Sequence, residues 1–306
     1  MTPFLDDAQV RRLLHIDALF DVMRQALIAL SAGRVVQPIR MAMDFPHGVL
    51  FLKPALIDGA LATKLITQCP GNAARGLPTM QATIVLFCAE TGGTLAVMDG
   101  TWITALRTAV VSAIGADALT SRAPKVLALL GSGVLARSHV QAMRRVRRID
   151  EVRIWSPTAR NAARCAEEVG GVAATSAQAA VEGADIVCTV TTATEPILKG
   201  AWLKPGAFVA AVGAPRPHWR ELDDATMQAH VVVDSREAAQ QEAGDVILSG
   251  ARVHAEIGAI LAGIEPPPPA GTTVVFKALG QAVEDAVAAR LVYNAATTSV
   301  SPPPTP

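Results

Sequence analysis

The sequence is poor in cysteine and carries no excess charge of either sign. Four cysteines in 306 residues, Cys69, Cys88, Cys165 and Cys188, lie far apart and form no C-x-x-C pair. This spacing argues against a disulfide framework and against a zinc site. Lysine plus arginine and aspartate plus glutamate number 27 each, so no field of one sign would draw the surface to nucleic acid. We expect no metal site and no nucleic-acid partner.

Long apolar runs are also missing. No stretch supplies the roughly 18 consecutive apolar residues that a membrane span needs. The start, Met-Thr-Pro-Phe-Leu-Asp-Asp, has early acids where a signal peptide would have an apolar segment. We therefore expect no membrane partner and a cytoplasmic location. Hydrophobic residues make up 51% of the chain, which is enough for a globular core, and 306 residues predict two domains.

The pattern of the chain changes near residue 119. Before it, an apolar helical repeat over residues 6–32 is followed by short strand-like stretches separated by turns. From Lys125, strand-like and helix-like segments alternate, which is typical of a doubly wound parallel sheet. A last helix is predicted over residues 278–292. We predict an α/β fold, with a Rossmann domain at 119–277 and a smaller α+β domain formed by residues 1–118 and 278–306.

A glycine-rich turn opens the predicted Rossmann domain. Gly131-Ser132-Gly133-Val134-Leu135-Ala136 follows an apolar strand and precedes a helix, which is the context that a dinucleotide loop requires. Gly131 would permit the tight turn, and Gly133 would let a pyrophosphate approach the helix N-terminus. Ala136 takes the place of the third glycine. An ordinary strand–loop–helix turn is the alternative. His139, on the helix that follows, is expected to be solvated or to cap the helix.

The type of cofactor is suggested by the end of the second strand. Dinucleotide folds specific for NAD place an acid there, which holds the ribose hydroxyls. This chain instead has Trp155-Ser156-Pro157-Thr158-Ala159-Arg160. Ser156, Thr158 and Arg160 would suit a 2′-phosphate, although a polar turn with a helix cap explains them too. We predict NADP(H) as the favoured cofactor, with NAD(H) possible.

Three cations stand alone in apolar or extended stretches of the first domain. These are Arg40, Lys64 and Arg107. A single charge in such a place is expensive to bury unless it is paired. Arginine can clamp a carboxylate through two parallel hydrogen bonds. Surface placement or structural salt bridges remain open as explanations of all three.

The residues around these cations resemble the ornithine cyclodeaminase/mu-crystallin family. The resemblance is carried by Lys64, Pro70-Gly71-Asn72, Gly76-Leu77-Pro78-Thr79, Thr104-Ala105-Leu106-Arg107-Thr108-Ala109, the glycine-rich turn, Trp219-Arg220-Glu221-Leu222-Asp223-Asp224 and Val275-Phe276-Lys277-Ala278-Leu279-Gly280. It covers nearly the whole chain before the proline-rich end.

Membership would imply a homodimer and a substrate domain built from both chain ends. The resemblance assigns Arg40, Lys64 and Arg107 to a pocket for the carboxylate of a small amino- or imino-acid substrate. It assigns a second set of residues to the dinucleotide. That set comprises Thr79, Gly131, Gly133, Val134, Leu135, Ala136, Ser156, Thr158, Thr189, Val190, Thr191, Val212, Gly213 and Ala278, to which the residues themselves add Arg160.

One departure from the family bears on the reaction. Ornithine cyclodeaminases have an aspartate that acts as a base in their reaction, two residues after the glycine that matches Gly213. This chain has Pro215 at that position. Proline cannot move a proton, so we expect an NAD(P)H-dependent reductase of cyclic ketimine carboxylates, such as pyrroline- or piperideine-2-carboxylate. Lys64 would polarise the substrate or relay a proton. The alternatives are an NAD-dependent ornithine cyclodeaminase and a non-catalytic protein that binds NADPH and a small ligand.

Overall fold

The computed structural model describes residues 2–120, 123 and 125–298. The chain divides into two compact units: the first unit, residues 1–107 with 281–306, and the second unit, residues 108–280. The predicted boundaries were at 119 and 277, so the observed ones differ in position. The first falls inside a helix, directly after Arg107.

The first unit is built on a six-stranded sheet. Its strands are β1 (Phe4–Leu5), β2 (Met41–Phe45), β3 (Gly48–Ile57), β4 (Ala60–Gln68), β5 (Met80–Cys88) and β6 (Thr94–Asp99). They lie in the order β1-β6-β5-β4-β3-β2. The β1–β6 pair is parallel, and the other pairs are antiparallel. Burial alternates strictly along β3 and β4, so one face is in the core and the other is partly open.

Helices cover the buried face of this sheet. They are α1 (Asp7–Leu13), α2 (Ile16–Ser31), the first part of α3 (Thr101–Leu119) and α10 (Ala282–Thr298). Helix α10 packs on β3, β4 and α2, and Asp285 in its first turn contacts Lys64 on β4. The single helix predicted over residues 6–32 is in fact two. Leu14 and His15 adopt extended backbone between them, which interrupts the helical hydrogen bonds.

The second unit is built on a parallel sheet of eight strands. The strands are β7 (Val126–Leu130), β8 (Glu151–Trp155), β9 (Val172–Ala173), β10 (Ile186–Thr189), β11 (Phe208–Ala211), β12 (His230–Val233), β13 (Val253–Glu256) and β14 (Val274–Lys277). They lie in the order β13-β12-β14-β11-β10-β7-β8-β9. The helices are α4 (Val134–Val146), α5 (Ala159–Val169), α6 (Ala177–Val181), α7 (Arg236–Glu242), α8 (Gly244–Ser249) and α9 (Ile257–Leu261), besides the end of α3.

This strand order confirms the predicted Rossmann architecture. The chain runs outward from β7 to β8 and β9 on one side, then continues on the other side with β10 and β11. The crevice at such a reversal, outside the carboxyl ends of the strands, is where doubly wound sheets bind ligands. The glycine-rich turn follows β7 and therefore lies at this reversal.

Helix α3 is the one segment of the described chain that is long and apolar enough to cross a bilayer. In its most apolar window, 72% of the residues are buried inside the protein. Gly115 on this helix lies so close to Phe276 that an added Cβ would sit 2.5 Å from the ring. Such burial is typical of a core helix.

Candidate functional site

The glycine-rich turn of the second unit leaves room where a dinucleotide loop needs it. Gly131 has φ +126°, and a Cβ there would stand 2.8 Å from the carbonyl oxygen of Val190, so only glycine fits this close approach. A Cβ on Gly133 would meet no atom within 4 Å. Gly133 is the N-cap of α4 and has no side chain to bond the first-turn N–H groups, and Val134 is 54% exposed. The turn fits a pyrophosphate at the N-terminus of a helix of 13 residues.

An arginine that sequence reasoning did not single out braces this turn. The Arg137 guanidinium donates to the carbonyl oxygens of Ser132 at 2.8 Å and Gly133 at 3.0 Å. It also pairs with Glu168 on α5. Its hydrogen bonds hold both carbonyls of the turn toward α4 and so fix the peptide planes.

The residues expected to select the cofactor lie at the carboxyl end of β8. Ser156 is half-buried, whereas Thr158 and Arg160 are exposed. Thr158 is the N-cap of α5, yet its side chain makes no capping hydrogen bond within the described structure. A second helix N-terminus therefore stands beside a hydroxyl and a guanidinium, a combination that suits a phosphate group.

A buried glutamate ties together the loops at the carboxyl ends of β10 and β11. The Glu221 carboxylate accepts hydrogen bonds from Thr189 Oγ1 at 2.8 Å, the Gly213 amide at 2.8 Å, and both the amide and the hydroxyl of Thr191 at 2.8 and 2.6 Å. Glu221 is fully buried. Burial raises its pKa, against the effect of Lys277 and the threonines. Thr189, Thr191 and Gly213, all assigned to the cofactor by the resemblance, are thus held by one side chain.

A buried ion pair stabilises the same loops at the carboxyl ends of the strands. Lys277, at the end of β14, donates to Asp245 Oδ2 at 2.8 Å and to the Gly213 carbonyl. Asp245 Oδ1 in turn accepts the amides of Glu221 and Leu222 at 2.8 and 3.0 Å. Both charged side chains are fully buried. Within the second unit, the loop at Gly213 is therefore fixed at its amide by Glu221 and at its carbonyl by Lys277.

Three further predicted contacts also lie near this edge. Val190 is almost fully buried behind the glycine-rich turn, and Val212 follows β11. Ala278 is not in a helix as predicted, because α10 begins only at Ala282. Its amide instead bonds the Ala211 carbonyl at 3.2 Å, which extends the β11–β14 pairing by one residue.

The first unit holds a buried group of charges on the covered face of its sheet. Its members, called here the charged cluster, are Lys53, Lys64, Arg107, Glu284 and Asp285. Lys64 Nζ lies 2.7 Å from Asp285 Oδ1 and 3.2 Å from Thr104 Oγ1. Arg107 pairs with Glu284 at 2.8 Å and with Asp285 Oδ1 at 3.1 Å. Lys53 Nζ is 3.9 Å from Asp285 Oδ2.

The charges in this cluster do not balance. Three cations face two carboxylates, and every member is at most 6% exposed. Burial lowers the pKa of Lys53 from 10.5 to about 8 and that of Lys64 well below its usual range, against the attraction of Asp285. Burial alone would raise the pKa of Asp285, but Arg107 and the two lysines hold it well below its usual range. The carboxylate stays ionised, and the lysines are the groups able to release a proton.

Two further sequence candidates of the first unit, Arg40 and Thr79, are not members of the charged cluster. Arg40 is half-buried before β2, with its guanidinium carbon 5.9 Å from the centre of the Phe51 ring, and its charge acts on Lys53. Thr79 is half-buried before β5, and its carbonyl accepts the Cys69 amide at 2.8 Å. Lys64 and Arg107 do make salt bridges, the alternative that spacing alone left open.

The expectation for His139 was wrong. Its ring is fully buried; Nδ1 lies 2.7 Å from the Leu135 carbonyl and Nε2 3.0 Å from Ser112 Oγ. Burial lowers its pKa from 6.5 to about 4. His139 is a neutral core residue that joins α4 to α3, because the helical spacing from the glycine-rich turn points it inward. In the described residues, no group of three or more His, Cys, Asp or Glu side chains could hold a metal ion.

Three comparisons with known proteins agree with this architecture. The model of the ornithine cyclodeaminase/mu-crystallin family matches residues 2–299. The chain belongs to that family. The ketimine reductase mu-crystallin of Mus musculus is 49% identical over 269 residues, with 86% of each chain covered. The resemblance seen in the sequence is thereby confirmed.

Solved structures of the family share the fold. The Thermococcus litoralis Δ1-pyrroline-2-carboxylate reductase, in complex with NADH and L-proline, superposes with a TM-score of 0.93 at 30% identity, covering 97% of this chain and 98% of that one. An archaeal alanine dehydrogenase dimer with bound NAD superposes with a TM-score of 0.92 at 30% identity, covering 99% and 98%.

Proposed function

We propose that this protein is an NAD(P)H-dependent reductase of cyclic ketimine carboxylates of the pyrroline- and piperideine-2-carboxylate type. The observation that carries the proposal is that Lys64 and Arg107, far apart in the sequence, meet in one buried charged cluster. Both are residues that the family resemblance assigns to the substrate carboxylate. An arginine held in place by Glu284 and Asp285 is suited to bind a carboxylate. The mu-crystallin and the pyrroline-2-carboxylate reductase that resemble the chain carry names of this reaction type.

The roles of the residues follow from their chemistry. The glycine-rich turn of the second unit would hold the dinucleotide, which when bound would supply the hydride that reduces the imine. Arg40 and Arg107 hold the carboxylate and orient the ring, which lowers the barrier by restricting the motion of the substrate. Lys64 holds a proton for the imine nitrogen. Asp285 and Thr104 keep the Lys64 ammonium in one place. Glu284 fixes Arg107, so neither cation has to reorganise when an anion arrives.

We propose NADP(H) as the preferred cofactor. No carboxylate stands in the segment from Ser156 to Arg160, where an NAD-specific fold would place one. The uncapped N-terminus of α5 and the exposed Arg160 support a 2′-phosphate instead. Replacing Arg160 by alanine should weaken NADPH binding while leaving NADH binding unchanged, as measured by fluorescence titration. Equal losses for both cofactors would contradict this assignment.

A homodimer is the proposed assembly. The second face of the first-unit sheet carries half-exposed apolar side chains, among them Leu50, Leu52 and Leu65. Edge strand β2 exposes Met41 and Met43 by 63% and 54%. A continuous apolar face of this kind is typical of a protein–protein interface. Light scattering should give twice the chain mass. A monomer that remains active would refute the proposal.

The direct test is an oxidation assay with both reduced cofactors. Pyrroline- and piperideine-2-carboxylate should be reduced, and Lys64→Ala should abolish turnover while NADPH still binds. A parallel reaction with ornithine and NAD⁺ tests for cyclodeaminase activity. Proline and ammonia in that reaction would show that Pro215 does not prevent the elimination. NADPH binding without oxidation by any ketimine would instead favour a non-catalytic binding protein.

A further inference from the structure

The two buried lysines of the charged cluster face each other directly. Lys53 on β3 and Lys64 on β4 are paired residues in the antiparallel register. Both side chains lie on the covered face, 6% and 1% exposed. Opposed residues on one face of an antiparallel pair are close neighbours, and like charges there repel each other. Their common counterion is Asp285, on helix α10.

The Asp285 carboxylate lies at different distances from the two lysines. Asp285 Oδ1 accepts Lys64 at 2.7 Å and Arg107 at 3.1 Å. Oδ2 has no hydrogen-bond partner among the described residues, and Lys53 Nζ approaches it only to 3.9 Å. Lys64 therefore holds the short contact with Asp285, and Lys53 places its positive charge at the longer distance. Sequence reasoning did not single out Lys53, although it stands alone in the apolar run Val49-Leu50-Phe51-Leu52-Lys53.

We propose that Lys53 is a positioning residue which, through Asp285, sets the charge state of Lys64 and hence the pH range in which the charged cluster works. This inference rests on the proposed function only in giving Lys64 a proton to hold. The other charged groups that face the pair are Arg107 from α3, Glu284 and Asp285 from α10, and Arg40 from the segment before β2. Two coupled amines lose their protons in steps that belong to the pair, and removing one partner leaves a single step at higher pH.

Two kinds of substitution at position 53 separate the charge of Lys53 from its packing. Lys53→Met removes the like charge, so the pKa of Lys64 should rise by about one pH unit or more. Lys53→Arg keeps a positive charge, so the pKa of Lys64 should stay near its wild-type value. A purely structural role would change the Lys64 titration alike in both variants. Lys53→Gln is a second neutral variant and must act like Lys53→Met.

The measurement follows the ε-carbons of lysine by NMR in protein labelled with [ε-¹³C]lysine. The chain has six lysines, and Lys64→Met assigns the Lys64 signal. Lys199→Met, at an exposed position of the second unit, is the matched control and should leave the Lys64 titration unchanged. An unchanged Lys64 titration in Lys53→Met would overturn the inference.

The pH profile of kcat for ketimine reduction provides a parallel readout. Its alkaline limb should move with the Lys64 titration, to higher pH in Lys53→Met, and should stay near the wild-type position in Lys53→Arg. The NMR titration does not need turnover. A wild-type protein that reduces no ketimine would therefore refute the proposed function, while the titration still decides the role of Lys53.

Discussion

Replacing Lys53 by methionine should stabilise the protein, and the gain should depend on pH. The side chain is buried, and its pKa in the folded state is about 8, against 10.5 when exposed. A pH unit corresponds to 1.36 kcal/mol, so the buried charge costs about 3 kcal/mol below pH 8. Methionine has similar length, carries no charge and fits an apolar face.

The sign follows from proton linkage. Between pH 8 and 10.5 the unfolded chain binds more protons at Lys53 than the folded one, so wild-type stability rises with pH in this window. The advantage of Lys53→Met should therefore be about 3 kcal/mol at pH 7 and should fade toward pH 10.5. Urea unfolding of both proteins at pH 7, 8, 9 and 10 measures this difference. A methionine variant that is less stable at pH 7, or a gain independent of pH, would refute the reasoning.

Three further predictions concern the second unit. Because burial depresses the pKa of His139 from 6.5 to about 4, stability should be lost as the pH falls from 6.5 toward 4, by up to about 3 kcal/mol; urea unfolding of wild type and His139→Gln checks this, and equal slopes would contradict it. Glu221→Gln leaves donors of the β10 and β11 loops without an acceptor, so it should cost about 1–3 kcal/mol and weaken NADPH binding in fluorescence titrations. Gly131→Ala should destabilise by about 1–3 kcal/mol through backbone strain and reduce NADPH affinity; unchanged affinity would show that the turn does not contact the cofactor.

Much of the second unit could be predicted from the sequence because its signals are local. The apolar run before Gly131 and the glycines themselves specify a strand, a tight turn and a helix within some twenty residues. Parallel strands buried on both faces read as continuous apolar stretches. The absence of an acidic residue directly after Trp155 is likewise evident from the amino-acid sequence.

The ion pairs of the charged cluster could not be predicted in this way. Asp285 lies 221 positions from Lys64, and only the folded sheet under α10 brings them together. Lys64 was selected as a candidate because it is a single lysine in an apolar run. Lys53 shows the same pattern but was not selected. The acids Glu284 and Asp285 stand in the largely apolar first half of α10, which could have marked them as buried partners.

The predicted helix boundaries near residues 14 and 281 were wrong for a different reason. Apolar periodicity continues through Leu14 and His15, but their extended backbone breaks the helix. At the other end, the residues from Ala278 to Gln281 precede α10, and the Leu279 and Gly280 amides donate to Asp234 at 2.7 and 2.9 Å. These are tertiary contacts, which override local preference.

Hydride transfer from a nicotinamide dinucleotide to a cyclic imine bearing a carboxylate can be measured as NADPH oxidation with piperideine-2-carboxylate, with pipecolate identified as the product. The wild type should turn over, and Lys64→Ala should bind NADPH without turnover. Removing the substrate carboxylate should abolish the reaction. Turnover of the carboxylate-free imine at an equal rate would contradict the assigned role of the buried cations.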